Sequence, residues 1–300
     1  MKKILVIGGT GFIGFHVIKK AKKLNWKVTS ISKKKPKIKR KHANVNYKFA
    51  DIENFQSLKK NIKGNYDFVI NAGGYGNHPN FNKEGEKLFF SHFLGTVNLV
   101  KILSKKKIKK FIQIGSSAEY GKKRSPQKEN DKCLPLTPYG IAKYACSKFL
   151  QNTFKIKNFP ATILRIFLVY GPGQDDNRIL PFVIKSCLKN KKIPLTKGNQ
   201  EVDFCHIDDV VNAIFKTFSS KKTNGEIINI GMGKPISIKK VVKLINKMIK
   251  KGKPEFGKLK YKLETNKKLY PEILKAKKKL KWIPRVDLNL GLKNTIKYYQ

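Results

Sequence analysis

The stretch Met1-Lys-Lys-Ile-Leu-Val-Ile-Gly-Gly-Thr-Gly-Phe-Ile-Gly14 decides how the rest of the chain is read. Ile4 to Ile7 form a short apolar run suited to a buried strand, and it halts at Gly8, Gly11 and Gly14. Glycines at this spacing suit a phosphate site. Gly8 permits a tight turn out of the strand, Gly11 lets the backbone approach a pyrophosphate, and Gly14 lets the next helix pack closely on the sheet. A helix starting there presents unpaired N–H groups and a positive dipole end to the anion.

Outward from this turn, Ile13, Val17, Ala21 and Leu24 recur at helical spacing, and Asn25-Trp26 ends the helix. Val28 to Ile31 reads as a strand, Lys33 to His42 as a loop, Val45 to Phe49 as a short strand and Asn54 to Ile62 as a helix. Phe68-Val-Ile-Asn-Ala-Gly73 is another buried strand ending in glycine, Phe89 to Leu103 a long helix, and Phe111 to Gly115 a strand. Ser125 to Pro138 reads as a loop, Tyr139 to Thr153 as a helix, and Ala161 to Val169 as one apolar strand closed by Tyr170-Gly-Pro-Gly173. Alternating strands and helices imply an α/β fold with a doubly wound parallel sheet. Beyond residue 170 shorter elements punctuated by Pro, Asn, Gly and Lys are expected, with a strand at Ile227 to Ile230 and a helix at Ile238 to Ile249.

A chain of 300 residues forms one large domain or two unequal ones. No run reaches the apolar length of a membrane span, and the start leads into a glycine-broken strand without a cleavage-type site, so a cytoplasmic location is expected. Cys133, Cys146, Cys187 and Cys205 have no close paired spacing, and His16, His42, His78, His92 and His206 are scattered, which implies neither a disulfide framework nor a metal site. The net charge of +47 suggests polyanion binding until its distribution is considered. Only Arg40, Arg124, Arg165, Arg178 and Arg285 among the 66 basic residues are arginines, and the lysines are spread along the whole chain. Such a surface steers anionic ligands without forming a nucleic-acid face, so no specific nucleic-acid partner is expected.

Five motifs occur in order: Gly-Gly-Thr-Gly-Phe-Ile-Gly at 8–14, Asn71-Ala-Gly73, Ser116-Ser-Ala-Glu-Tyr-Gly121, Tyr139-Gly-Ile-Ala-Lys143 and Tyr170-Gly-Pro-Gly173. In this order they resemble the extended short-chain dehydrogenase/reductase family, the branch of nucleotide-sugar epimerases, dehydratases and 4-ketoreductases. The resemblance implies a Rossmann-type NAD(P)-binding domain over residues 1–169. A smaller α/β substrate-binding region over 170–300 would return the strand at 227–230 to the Rossmann sheet. It also implies a homodimer, by analogy with other members.

Tyr139 and Lys143 are four apart, so on a helix they share a face. An ammonium and a positively charged nicotinamide ring both favour a neighbouring phenolate, and a phenol so tuned can move a proton on and off a sugar hydroxyl. Each feature alone is an ordinary surface pair or turn serine; together, downstream of the glycine turn, Ser116, Tyr139 and Lys143 read as catalytic. Dehydratases of this family carry an acid pair directly after the Ser116 position, where this chain has Ser117 and Ala118. Hydride transfer at C4 of a nucleotide sugar, as 4-epimerase or 4-ketoreductase, is therefore expected in place of 4,6-dehydration. Glu119 reads as structural. The alternative is a catalytically silent NAD(P)-sensing or RNA-associated protein of the same fold.

The end of the second strand carries Ser32 followed by Lys33, Lys34 and Lys35, not the acidic residue that would bind a ribose 2′-hydroxyl and repel a 2′-phosphate. NADP is favoured, with NAD the alternative. The resemblance implies a cofactor site of Gly8, Thr10, Gly11, Phe12, Ile13, Gly14, Ser32, Lys33, Asp51, Ile52, Ala72, Gly73, Tyr139 and Lys143. It implies a substrate site of Ser117, Ala118, Asn177 and Arg178. Three departures touch that second site. Val202 stands where the family's diphosphate Arg precedes the Asp203-Phe204 pair, Asn266-Lys267-Lys268 stands near the second such Arg, and His92 replaces a common Asn. Arg178 can substitute as an anion clamp because its fork matches phosphate geometry. No role is assigned to His92, and Phe204 to Asp209 and Trp282 with Pro284 read as architecture.

Overall fold

Ile4 to Ile7 are fully buried on both faces of a sheet, as an apolar run of this kind requires in a parallel arrangement. The computed structural model describes residues 1–74, 85–261 and 266–300, so His78 lies outside the described residues. Seven parallel strands form the central sheet in the order β10-β6-β5-β4-β1-β2-β3. They are β1 (Lys3–Ile7), β2 (Lys27–Ser32), β3 (Asn46–Phe49), β4 (Phe68–Asn71), β5 (Lys110–Ser116), β6 (Ala161–Ile166) and β10 (Ile227–Ile230). The order reverses direction between β1 and β4, and the crevice beyond the carboxyl ends at such a point is where doubly wound sheets bind ligands.

Alternate residues of each strand feed two cores. Ile4, Val6, Ile112, Ile114 and Leu164 meet α1 (Phe12–Lys23) and α7 (Ile207–Phe218) on one face. Leu5, Ile7, Val69, Phe111 and Ile163 meet α2 (Phe55–Asn61), α4 (Gly95–Leu103) and α5 (Pro138–Lys157) on the other. A third core joins α6 (Ile179–Leu188), α8 (Ile238–Ile249) and α10 (Leu288–Tyr299) to β8 (Lys192–Leu195) and β9 (Glu201–His206).

Three expectations are corrected. The apolar run Ala161 to Val169 is not one strand: β6 ends at Ile166, and β7 (Leu168–Tyr170) pairs with β9 in a second sheet. Phe167 is the corner, its amide bonded to Ile230 O and its ring buried with Tyr120 and Cys133. The helix expected over Phe89 to Leu103 is interrupted by a π-helical segment, Phe90–Leu94, after α3 (Gly85–Phe89). There the His92 carbonyl accepts from Thr96 Oγ1 at 2.7 Å and Cys146 Sγ at 3.3 Å. Beyond residue 170 the elements are not all short, because α6 and α7 are regular helices of 10 and 12 residues. The C-terminal stretch is anchored by α7. Trp282 Nε1 donates to Asp209 O at 3.1 Å, and the Asp209 carboxylate accepts the amides of Arg285 and Val286 at 3.0 and 2.9 Å.

Candidate active site

The β1–α1 turn is shaped by what it touches. Gly8 has φ +76°, and a Cβ there would lie 2.7 Å from Ala72 O and the Gly73 backbone, so the turn sits directly against the end of β4. A Cβ on Gly14 would collide with Gly8 O, so only glycine lets α1 begin this close. With Gly11 as N-cap, no side chain satisfies the first-turn amides of Phe12, Ile13 and Gly14, the arrangement an anion-binding helix start needs. The neighbouring strand ends complete this side. Ser32 Oγ accepts from Thr10 N at 3.3 Å, and Gly73 N donates to Asn71 Oδ1 at 3.1 Å. Lys33 is ion-paired with Asp51 at 2.5 Å. Burial alone would raise the Asp51 carboxyl, but the bond from Lys33, the Glu53 amide and the Lys33 charge together hold the group below its ordinary value. Ile52 is buried, with its carbonyl accepting from Asn98 Nδ2 at 3.0 Å. These residues stand together around the glycine turn at the carboxyl ends of β1, β2 and β4.

Ser116 closes β5. Its Oγ accepts from Ala118 N at 3.1 Å, and its amide donates to Glu119 Oε1 at 2.9 Å, forming a capping box. Glu119 Oε2 accepts from Ser147 Oγ at 2.7 Å and Arg165 Nε at 2.8 Å, and both charged side chains are buried. The Arg165 guanidinium stacks 4.5 Å from the Tyr120 ring centroid. Glu119 thus aims away from the crevice and holds the Ser116 turn rigid, as a structural residue would.

The helix α5 brings the other two groups to that turn. Thr137 Oγ1 caps it by accepting Gly140 N at 3.1 Å, and Pro138 supplies a pre-set first turn. A Cβ on Gly140 would lie 2.6 Å from Ala118 O, so the helix start presses on Ser117-Ala118. Lys143 Nζ donates to Ile114 O at 2.8 Å and stands 5.6 Å from the Tyr139 ring centroid. Ser116, Ser117, Ala118, Tyr139 and Lys143 are therefore brought together at the carboxyl end of β5. Asn177 and Arg178 stand elsewhere, exposed at the start of α6.

Sequence reasoning missed two residues here. His92 is buried, and its ring meets Tyr139 edge-on at 5.3 Å and 74°. Gly74, at φ +126°, leaves the room that the imidazole fills. Arg40 lies in a stretch read as a solvated loop, yet it is buried and bonded to Thr10 O of the glycine turn at 3.3 Å. The signal available for Arg40 was its being arginine at all in a chain whose loop cations are nearly all lysine. Among the described residues there is no cluster of three His, Cys, Asp or Glu that could hold a metal ion, and no helix long and apolar enough to cross a membrane.

A family model described as "NAD dependent epimerase/dehydratase family" matches residues 4–231. A UDP-glucuronate 4-epimerase of Thermodesulfobacterium geofontis is 32% identical, the match covering 98% of this chain and 95% of the relative. A dTDP-D-glucose 4,6-dehydratase of Dictyostelium discoideum is 31% identical over 82% of this chain and 62% of its own length. Among solved structures, a UDP-glucuronic acid 4-epimerase from Bacillus cereus, in complex with UDP-glucuronic acid and NAD, superposes with a TM-score of 0.89. It is 28% identical, and the match covers 99% of this chain and 98% of that one.

Proposed function

The chain belongs to the NAD-dependent epimerase/dehydratase family, and on that premise we propose that it is a 4-epimerase of UDP-linked sugars. The single observation that carries this reading is the packing of Tyr139 and Lys143 onto the Ser116 turn, on the same sheet edge as the glycine turn. The Thermodesulfobacterium and Bacillus relatives, named as UDP-glucuronate 4-epimerases, support the same choice.

A nicotinamide dinucleotide held by these residues would supply reversible hydride transfer at C4 of the sugar. The chain's own residues do the rest. Gly8 to Gly14 and the open start of α1 hold the pyrophosphate. Tyr139 removes the proton from the 4-hydroxyl and gives it back. Lys143, fixed by Ile114 O, holds its ammonium beside the Tyr139 ring. Ser116 donates a hydrogen bond to the same sugar oxygen, from a turn that Glu119 keeps in place. Ser117 and Ala118 supply no acid or base for water elimination, which separates this site from the family's dehydratases. Residues 1–169 are assigned to the cofactor and 170–300 to the sugar nucleotide. Arg178 serves as diphosphate clamp in place of the arginine absent at Val202. NADP is favoured over NAD, because Ser32 brings no negative charge to the ribose.

The test is to incubate the protein with UDP-glucuronate, UDP-glucose, UDP-N-acetylglucosamine or a UDP-4-keto sugar and either dinucleotide, and to follow the anomeric signals by NMR and the reduced cofactor by absorbance. Interconversion of C4 epimers without net change in reduced cofactor supports the reading. Stoichiometric cofactor consumption on a 4-keto sugar would make it a reductase. If neither dinucleotide raises the melting temperature and none co-purifies, the enzyme reading fails.

A further inference from the structure

Between Lys33 and Lys41 the chain has no buried apolar side chain, and its one large apolar residue, Ile38, is 93% exposed. Such a segment has no hydrophobic reason to hold a fixed path. The lysines at 33, 34, 35, 37, 39 and 41 are exposed, and the ion pair from Lys33 to Asp51 lies at the surface, where such pairs contribute little. Arg40 is the exception. It is the only buried side chain of the segment, at 7% exposure.

Its guanidinium bonds to two separate parts of the molecule. Nη1 donates to Thr10 O, inside the glycine turn, at 3.3 Å. Nη2 donates to Gly173 O at 2.6 Å and to the Asp175 carboxylate at 2.7 Å. The strap from Gly171 to Asp175 is pinned from other directions as well, with His16 Nε2 2.9 Å from Pro172 O and Tyr299 Oη donating to Gln174 O at 2.5 Å. Thr10 is in turn held through its amide by Ser32. One buried cation therefore ties the loop after β2 to the glycine turn and to the strap from the second half of the chain. A cleft of about 360 Å³, lined in part by Lys37, Lys39, Lys185 and Tyr298, opens beside it and gives the side chain a path outward without disturbing a core.

The loop after β2 leaves the sheet where the adenosine ribose is read in a doubly wound fold. We propose that Arg40 is a latch on the bound dinucleotide, a positioning residue that sets how fast the cofactor leaves by locking this loop to the glycine turn and the 171–175 strap. The inference rests on reading the β1–α1 turn as the dinucleotide site. A planar fork that satisfies two carbonyls and a carboxylate at once has no equivalent in lysine, which explains an arginine here amid lysines.

The experiment loads the protein with NADPH or NADH, mixes it with excess oxidised cofactor, and follows release by nicotinamide fluorescence. Arg40→Met should release the cofactor about tenfold faster or more, since hydrogen bonds to a charged group are lost. Asp175→Asn should do so by a smaller factor, and Arg40→Lys should fall between Arg40→Met and the parent. The KM for cofactor should rise far more than kcat at saturation falls. A release rate unchanged in folded variants, with a lowered melting temperature of the cofactor-free protein, means Arg40 is only a structural tie and overturns the latch. If Arg40→Met does not fold, Arg40→Lys and Asp175→Asn decide. Failure of the unsubstituted protein to bind either dinucleotide overturns the dinucleotide reading and the latch with it, and is recognised because it precedes any substitution.

Discussion

Two helix starts, the one at Gly11–Gly14 and the exposed one at Asn177–Arg178, are built differently. The first is enforced by backbone. Gly8 sits at φ +76° against Gly73, Gly14 has no room for a side chain, and Thr10 is held through its amide by Ser32 and through its carbonyl by Arg40. The second is carried by exposed side chains on an otherwise ordinary helix N-terminus, where Arg178 N donates to Asp175 O at 3.0 Å. A site made of backbone accepts one kind of ligand group and changes only when the fold changes. A surface made of long exposed side chains can be retuned by single substitutions.

If chemistry belongs to neither helix start but to the residues between them, Tyr139→Phe has the largest effect. Turnover should fall by about 10²–10⁴-fold, while cofactor affinity measured by titration stays near the parent value. A variant keeping most of its activity would detach the reaction from Tyr139 altogether. Next in size is Arg178→Ala, which should raise the KM for the sugar nucleotide by about tenfold to a hundredfold, as for a lost charge-assisted bond to phosphate. Cofactor affinity should not move. Were both affinities to drop together, the two helix starts would not be separate sites and the contrast between them would collapse.

The same contrast explains what could be read from the chain. Glycines 8, 11 and 14 and the Tyr139/Lys143 spacing are local signals, each legible within a few residues, and the observed geometry agrees with them. The β6–β7 break was not legible, because Ile166 before Phe167 and Leu168-Val169 after it are all apolar and only the partner strands differ. Helix α7 did carry a signal, since Ile207, Val210, Val211, Ile214 and Phe218 recur at helical spacing and are buried. Reading Phe204 to Asp209 as architecture obscured it. The contacts of Arg40 and His92 could not be read for another reason. Their partners lie between 30 and 135 residues away for Arg40, and across α5 for His92, and no spacing rule within one chain reaches that far.

Ser32 tests the backbone side by charge. Its Oγ accepts the Thr10 amide, a role a carboxylate can also fill, so Ser32→Asp should keep the turn while adding repulsion toward a 2′-phosphate. The ratio of NADP to NAD affinity should fall by about tenfold, the scale of one modest electrostatic penalty. An unchanged ratio in binding titrations would place ribose discrimination outside the end of β2.

The smallest effect lies at the seam between the two sides. His16, on α1, is bonded through Nε2 to Pro172 O of the strap, and burial pushes its imidazole down to about 4 from 6.5. The Asp208 carboxylate and the Pro172 bond oppose that shift, while Lys19 and His206 add to it. Because the folded state binds this proton less readily than the unfolded chain, His16 contributes stability that is fully present above pH 6.5 and is lost as pH falls toward 4. Replacing it with glutamine, which can also donate to Pro172 O, removes the titration but keeps the bond. By pH 4.5 the parent should have lost about 2 kcal/mol relative to His16→Gln, a shift of several degrees in melting temperature for a chain this long. At pH 8 the two curves should have returned to a constant offset. Parallel melting curves from pH 8 to 4.5 would mean that the seam opens before His16 is protonated, and the strap would then be held without it.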